Sequence, residues 1–190
     1  MLAAFLLLGA GTQPADPDDD DAEVQVRAPE PSVESYDVRG LSMSALRDEV
    51  EAKGPEGGAG TSRVGLRFEA TQRSNAKGAC EVATVRVIAE TRILLPSWID
   101  KGLATRDLKD RWACLYRALE EHERGHARIH VENAQEVARA LKGTPPQANC
   151  VDLAKEVTRR FDAAKAASFA KQQAFDRDTD HGRKERRACE

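Results

Sequence analysis

At 190 residues the chain is long enough for one domain with tails and a core of its own. Charged residues make up 32% of it and aromatics 5%, so that core should be modest and built from alanine, valine and leucine. A net charge of -3, with basic residues scattered among acidic ones, gives no support for a nucleic-acid partner. No apolar run approaches the roughly 20 residues of a membrane span.

The opening segment, residues 1–12 (MLAAFLLLGAGT), has the apolar core and small-residue exit of a secretory signal, although it lacks a basic start. Cys80, Cys114, Cys150 and Cys189 are even in number and widely spaced, with no C-x-x-C pair. That usage suits one or two disulfides in an oxidising compartment better than a cysteine metal site. Both features point to a secreted or periplasmic protein. The pairing is not encoded in the spacing. Residues 13–32, acidic and proline-rich, read as a disordered linker.

The folded part should span 33–182. SVESYDVRG reads as a short strand closed by Gly40. SMSALRDEVEAKGP reads as a helix capped by Ser42 or Ser44 and ended at Gly54-Pro55. Alternation then marks two strands. Val64, Leu66, Phe68 and Ala70 share one face of the first. Val85, Val87, Ala89, Thr91, Ile93 and Leu95 share one face of the second, which Pro96 should end. A glycine-containing loop between them suggests an antiparallel pair, and the strand at 82–95 could offer an edge to an extended peptide. From Arg106 to Lys142 the period turns helical. Gly143 and Pro145-Pro146 close that helix, and Asn149 caps another running from Cys150 to the mid-170s. Residues 183–190 read as an irregular, charged tail. The expected architecture is α+β: a small antiparallel sheet packed with two long antiparallel helices.

The first long helix contains His122-Glu123-Arg124-Gly125-His126. On a helical wheel Trp112, Leu115, Tyr116, Leu119, His122, His126, Ile129, Ala134, Val137 and Leu141 form one stripe, so both histidines fall on the face that should be buried. Positions i and i+4 stand one above the other, about 6 Å apart, so two imidazoles can hold one zinc ion. In zinc peptidases the glutamate next to the first ligand takes a proton from the water that the ion activates, and Glu123 has that place. A mid-helix glycine costs about 1 kcal/mol relative to alanine, so Gly125 implies a close approach by another element. His130 lies about 12 Å along the helix from His122, too far to share the ion.

A catalytic zinc needs a third protein ligand and an open position. The histidine pair lies about 27 Å back from the loop at 143–149, and the same distance up the second helix reaches about residue 168. That neighbourhood, KAASFAKQQA, holds no carboxylate or histidine. The donor should therefore come from FDRDTDHG after the helix. His181 is the expected ligand, with Gly182 shaping a turn that presents it, and Asp176, Asp178 and Asp180 are its competitors.

SYDVRG with its following helix, ILLPSW after a long strand, Trp112 leading into HERGH, and FDRDTDHG occur in an order and spacing that resemble a known family. The chain resembles the bacterial predicted secreted zinc-dependent proteases catalogued as a domain of unknown function, over about residues 33–182. The resemblance implies a zincin-like site at His122, Glu123 and His126, to which the Asp176–His181 turn belongs. Phe175 stands where tyrosine is usual in that family, which removes a phenolic hydroxyl.

The sequence thus points to an exported zinc metallopeptidase with Zn2+ as cofactor, a peptide or protein as substrate, His122, His126 and His181 as ligands, and Glu123 as general base. Two rivals stand beside it. One is a non-catalytic envelope protein whose helix pair is stabilised by zinc or by the histidines alone. The other is a zinc amidase acting on cell-wall cross-links.

Overall fold

The computed structural model describes residues 24–55 and 58–189. The signal-like segment 1–12 lies outside them, as does most of the expected linker. Four strands and two long helices make the frame. The strands are β1 (Val24–Arg27), β2 (Ser32–Val38), β3 (Thr61–Ser74) and β4 (Cys80–Trp98). Helix α1 (Met43–Lys53) follows β2, α2 (Arg106–Lys142) and α3 (Cys150–Thr179) are the long pair, and α4 (Arg183–Arg186) is a single turn.

The α+β class is as expected, but the sheet is mixed. β3 runs antiparallel to β4 from Thr61↔Leu94 to Ser74↔Cys80. β1 and β2 both run parallel to β4, one after the other along its opposite edge, at 85–88 and then at 92–98. They behave as one strand interrupted at Ala28–Pro31, where Pro29 and Pro31 have no N–H to give to a ladder. The expected disordered linker therefore ends earlier than residue 32, because Val24–Arg27 is already paired. β4 is the central strand with both edges used, so it cannot take a peptide as 82–95 was expected to. Among the described residues, the free edge on this side of the sheet belongs to β3. Pro96 does not end β4, which continues to Trp98. Beyond Leu94 it has only β2 beside it, and proline is tolerated at such an edge position.

Alternation decides which face of β4 is buried. Val85, Val87, Ala89, Thr91, Ile93 and Leu95 all turn inward, and the first three pack with Ala134, Val137, Ala138 and Leu141 of α2 and Leu153 and Val157 of α3. Each such side chain contributes roughly 1.5–3 kcal/mol by leaving water. At the other end Val38, Leu46, Trp98, Leu108 and Trp112 form a second cluster that fixes the start of α2 against the sheet.

The two long helices are antiparallel, as Asn133 to Ser168 and His126 to Gln172 contacts show. Thr105 caps α2 through Leu108 N, and Asn149 caps α3 through Asp152 N. Disulfide Cys80–Cys150 joins the start of β4 to the start of α3, and Cys114–Cys189 ties the carboxyl terminus to α2. The terminal residues are therefore not a loose tail: α4 and the turn at 187–189 pack against α2.

Candidate metal centre

His122 and His126 occupy one face of α2, separated by one turn, with ring centroids 4.9 Å apart. Gln172 and Asp176 occupy one face of α3 with the same separation, and the antiparallel packing sets the two pairs against each other. Asp176 Oδ1 stands 3.0 Å from His126 Nε2 and 3.4 Å from His122 Nε2. One donor atom from each of His122, His126 and Asp176 lies within 4.8 Å of the others, a span suited to a single ion.

The third donor is thus Asp176, one of the competitors, in place of the expected His181. The His181 side chain is 61% exposed, and its Nδ1 lies 3.8 Å from Asp176 Oδ1, beside the group and not in it. Asp176 lies in the expected FDRDTDHG stretch, but the helix register differs from the expected one because α3 begins about two turns beyond the end of α2. The observed pairs 133/168 and 126/172 set residues near 157 beside Lys142, so the histidines meet 172–176 rather than 168. Asp176 lies within α3 itself, while Asp178 and Asp180 are not members of the group.

Neighbouring side chains fix which atoms face the centre of this group. His126 Nδ1 donates to Gln172 Oε1 at 2.6 Å, and Gln172 is oriented by its own Nε2, which donates to the His126 carbonyl at 3.1 Å. That leaves Nε2 facing Asp176 Oδ1 at 3.0 Å, the atom that would turn to a cation placed between them. Burial first, and the neighbouring His126 second, hold the His122 pKa below its usual value, which favours the neutral imidazole a metal requires. His122 Nε2 is the nitrogen that faces Asp176 Oδ1, at 3.4 Å, while Nδ1 is buried with no hydrogen-bond partner among the described residues. The residues present fit a divalent metal such as zinc.

Two glycines let other elements close on this group. A Cβ on Gly125 would lie 2.5 Å from the Phe175 ring, which stacks on His122 at 5.0 Å and meets His126 edge-on at 4.9 Å. The close approach expected at Gly125 is Phe175. After α3 the chain turns through Asp180, His181 and Gly182, all at positive φ. A Cβ on Gly182 would lie 2.9 Å from His122 Cγ, so glycine is required there for space as well as for backbone conformation.

Glu123 is 4% exposed and lines the same cavity of about 390 Å3 as the donor group. The Ser62 hydroxyl, from β3, lies 2.8 Å from Glu123 Oε2 and 2.9 Å from the Glu123 carbonyl and donates to either. Burial raises the Glu123 pKa, and the Ser62 bond only partly offsets this. Gly60 backs the carboxylate, since a Cβ there would come 3.1 Å from Oε1. Tyr36, whose hydroxyl donates to Ala59 O at 2.6 Å, holds that strip of chain in place. His130 is fully buried and its Nε2 donates to Gly65 O at 2.9 Å, so it clamps α2 to β3 away from the donor group.

Ser62 and Gln172 were not singled out from sequence. Ser62 is 61 positions from its partner and nothing local marks it. Gln172 did carry a signal: with Asp176 it repeats, on the second helix, the i, i+4 spacing of the histidines.

Fold and site together define a mixed helix-and-strand domain with a two-histidine, one-aspartate donor group in the cleft between its long helices. The chain belongs to the family described as "Bacterial protein of unknown function (DUF922)", which matches residues 33–182. No curated protein and no solved structure matches it.

Proposed function

We propose that the chain is an exported zinc-dependent peptidase in which His122, His126 and Asp176 hold the ion and Glu123 is the general base. The convergence of two imidazole nitrogens and a carboxylate oxygen, with a buried glutamate on the same cavity wall, carries this reading. Zinc, when bound, supplies Lewis acidity toward a carbonyl and toward water. The rest of the chemistry belongs to the chain. Glu123, positioned by Ser62, takes a proton from a water molecule in the cleft as the water oxygen adds to the peptide carbonyl carbon. It then passes that proton to the leaving amine nitrogen as the C–N bond breaks. Gln172 keeps the His126 proton on Nδ1 and so keeps Nε2 available.

An extended substrate can run along the unpaired edge of β3, whose Thr61, Ser62 and Val64 line the cavity, and add to the sheet there. Two disulfides among the described residues support an oxidising compartment, hence export. Glu123→Gln tests the assignment. It should lower peptide hydrolysis by at least about 100-fold while the protein still binds one zinc per chain. Unchanged turnover in that variant would sink the role given to Glu123.

A further inference from the structure

The carboxyl-terminal turn brings to the cleft a cation that no carboxylate contacts directly among the described residues, although Glu185, Glu123 and Asp180 act on it from farther off. Arg186, on α4, is half-buried and lines the cavity that holds His122, Glu123, His126 and Asp176. Its Nη2 donates to the His181 main-chain oxygen at 3.3 Å. Among the described residues it makes no ion pair within 4.0 Å, whereas Arg183 beside it reaches Asp180 at 3.6 Å. Burial, and then the neighbouring Arg183, hold its pKa below the usual arginine value. A partly desolvated guanidinium with no carboxylate in direct contact has hydrogen-bond donors to spare, and a ligand carboxylate can take them up through two parallel hydrogen bonds.

The same guanidinium also lines a second cavity, of about 760 Å3. The two cavities share Gly58, Ala59, Leu119, His181 and Arg186, so one continuous cleft leads from the donor group past Arg186. The far part is walled by Met43, Leu46, Val50, Trp112, Leu115 and Tyr116. Among the described residues its charged members are Arg47, Arg186, Glu51 and Arg183, the last of which reaches Asp180. An apolar room with a half-buried arginine at its junction with the metal group suits one kind of residue: an apolar side chain and a carboxylate on the same α-carbon.

We propose that Arg186 and this apolar cavity form the subsite for the carboxyl-terminal residue of a peptide. The guanidinium holds the terminal carboxylate, and the apolar side chain fills the room beside Trp112. This rests on the peptidase reading and sharpens it to removal of the last residue. Water adds across the terminal peptide bond, the penultimate carbonyl carbon takes the hydroxyl, and the amine nitrogen takes the proton. The products are a shortened peptide and a free apolar amino acid.

Binding tests it without turnover, on the full zinc-loaded chain carrying Glu123→Gln. Three fluorescent peptides of one sequence are titrated: ending in Phe as the free acid, ending in Phe as the amide, and ending in Glu as the amide. The free acid should bind at least about tenfold more tightly than either amide, as a charge-assisted pair requires. Arg186→Ala should erase that preference, and Arg186→Lys should restore part of it. Equal binding of acid and amide overturns the subsite, as does a preference that survives Arg186→Ala. Equal binding of the Glu amide and the free acid overturns the terminal carboxylate as the group held. If the protein without the Glu123 substitution cleaves internal bonds of amidated peptides and shows no acid preference, the subsite fails and the peptidase reading stands. An acid preference without any cleavage upholds the subsite and sinks the peptidase reading.

Discussion

Glu123 is a carboxylate that the fold holds in a place where its charge is disfavoured. Burial raises its pKa above the ordinary 4.5, so in the metal-free protein the folded state binds the proton more tightly than the unfolded chain does. That contribution to stability is fully present below pH 4.5 and is lost as pH rises through the raised value. Metal-free Glu123→Gln should therefore melt a few degrees above the parent at about pH 7, with the gap closing toward about pH 4. Thermal melts across that range check it, and a gap that is constant or reversed would contradict the buried-charge account. That His122 and His126 share one face was legible in sequence because helical spacing alone sets it, while Glu123 was marked only by its place beside His122. Ser62, Gln172 and the choice of Asp176 over His181 depend on how distant elements register, which no local pattern carries.

At the level of elements, α1 and α2 were readable to within a residue or two, because period, caps and stops agree. Helix α3 runs on to Thr179, past its expected end in the mid-170s, and α4 falls in the stretch read as irregular. The sheet order was not readable. Alternation identified the buried face of β4 but is silent on which strands lie beside it, and the proline-broken pair β1 and β2 has too few residues to announce a parallel edge. The helix register was missed by nearly two turns, because α3 starts beyond the end of α2. The packing of that pair depends on Gly125, which admits the Phe175 ring against both histidines. Gly125→Ala should place a methyl inside that contact and lower stability by about 1–3 kcal/mol, the usual cost of overpacking, despite alanine's better helix propensity. Adding Phe175→Leu should recover part of the loss. Urea denaturation of the single and double variants measures both, and a Gly125→Ala protein more stable than its parent would show the ring to be free to move.

Across the whole molecule, two disulfides close long loops, with sequence separations of 70 and 75. Cys80–Cys150 joins the sheet to α3. Cys114–Cys189 closes the chain's end onto α2, which brings Arg186 to the cleft. Composition suggested bonded cysteines but not their partners, and the charged sequence after Gly182 concealed an ordered segment that a covalent bond helps to hold. Replacing Cys114 and Cys189 together by serine should lower stability by about 2–5 kcal/mol in chemical denaturation. Zinc should still bind with one-to-one stoichiometry, because the α2–α3 packing that sets His122, His126 and Asp176 does not include the bond. Loss of zinc binding in a folded double variant would mean that the terminal segment builds the donor group.

The central claim is the donor group itself, and diffraction at the zinc absorption edge from crystals of the zinc-loaded protein tests it most directly. The expected result is one anomalous peak about 2.0–2.2 Å from Nε2 of His122, Nε2 of His126 and a carboxylate oxygen of Asp176. A peak ligated by His181 in place of Asp176, or no peak between the two long helices, would contradict it.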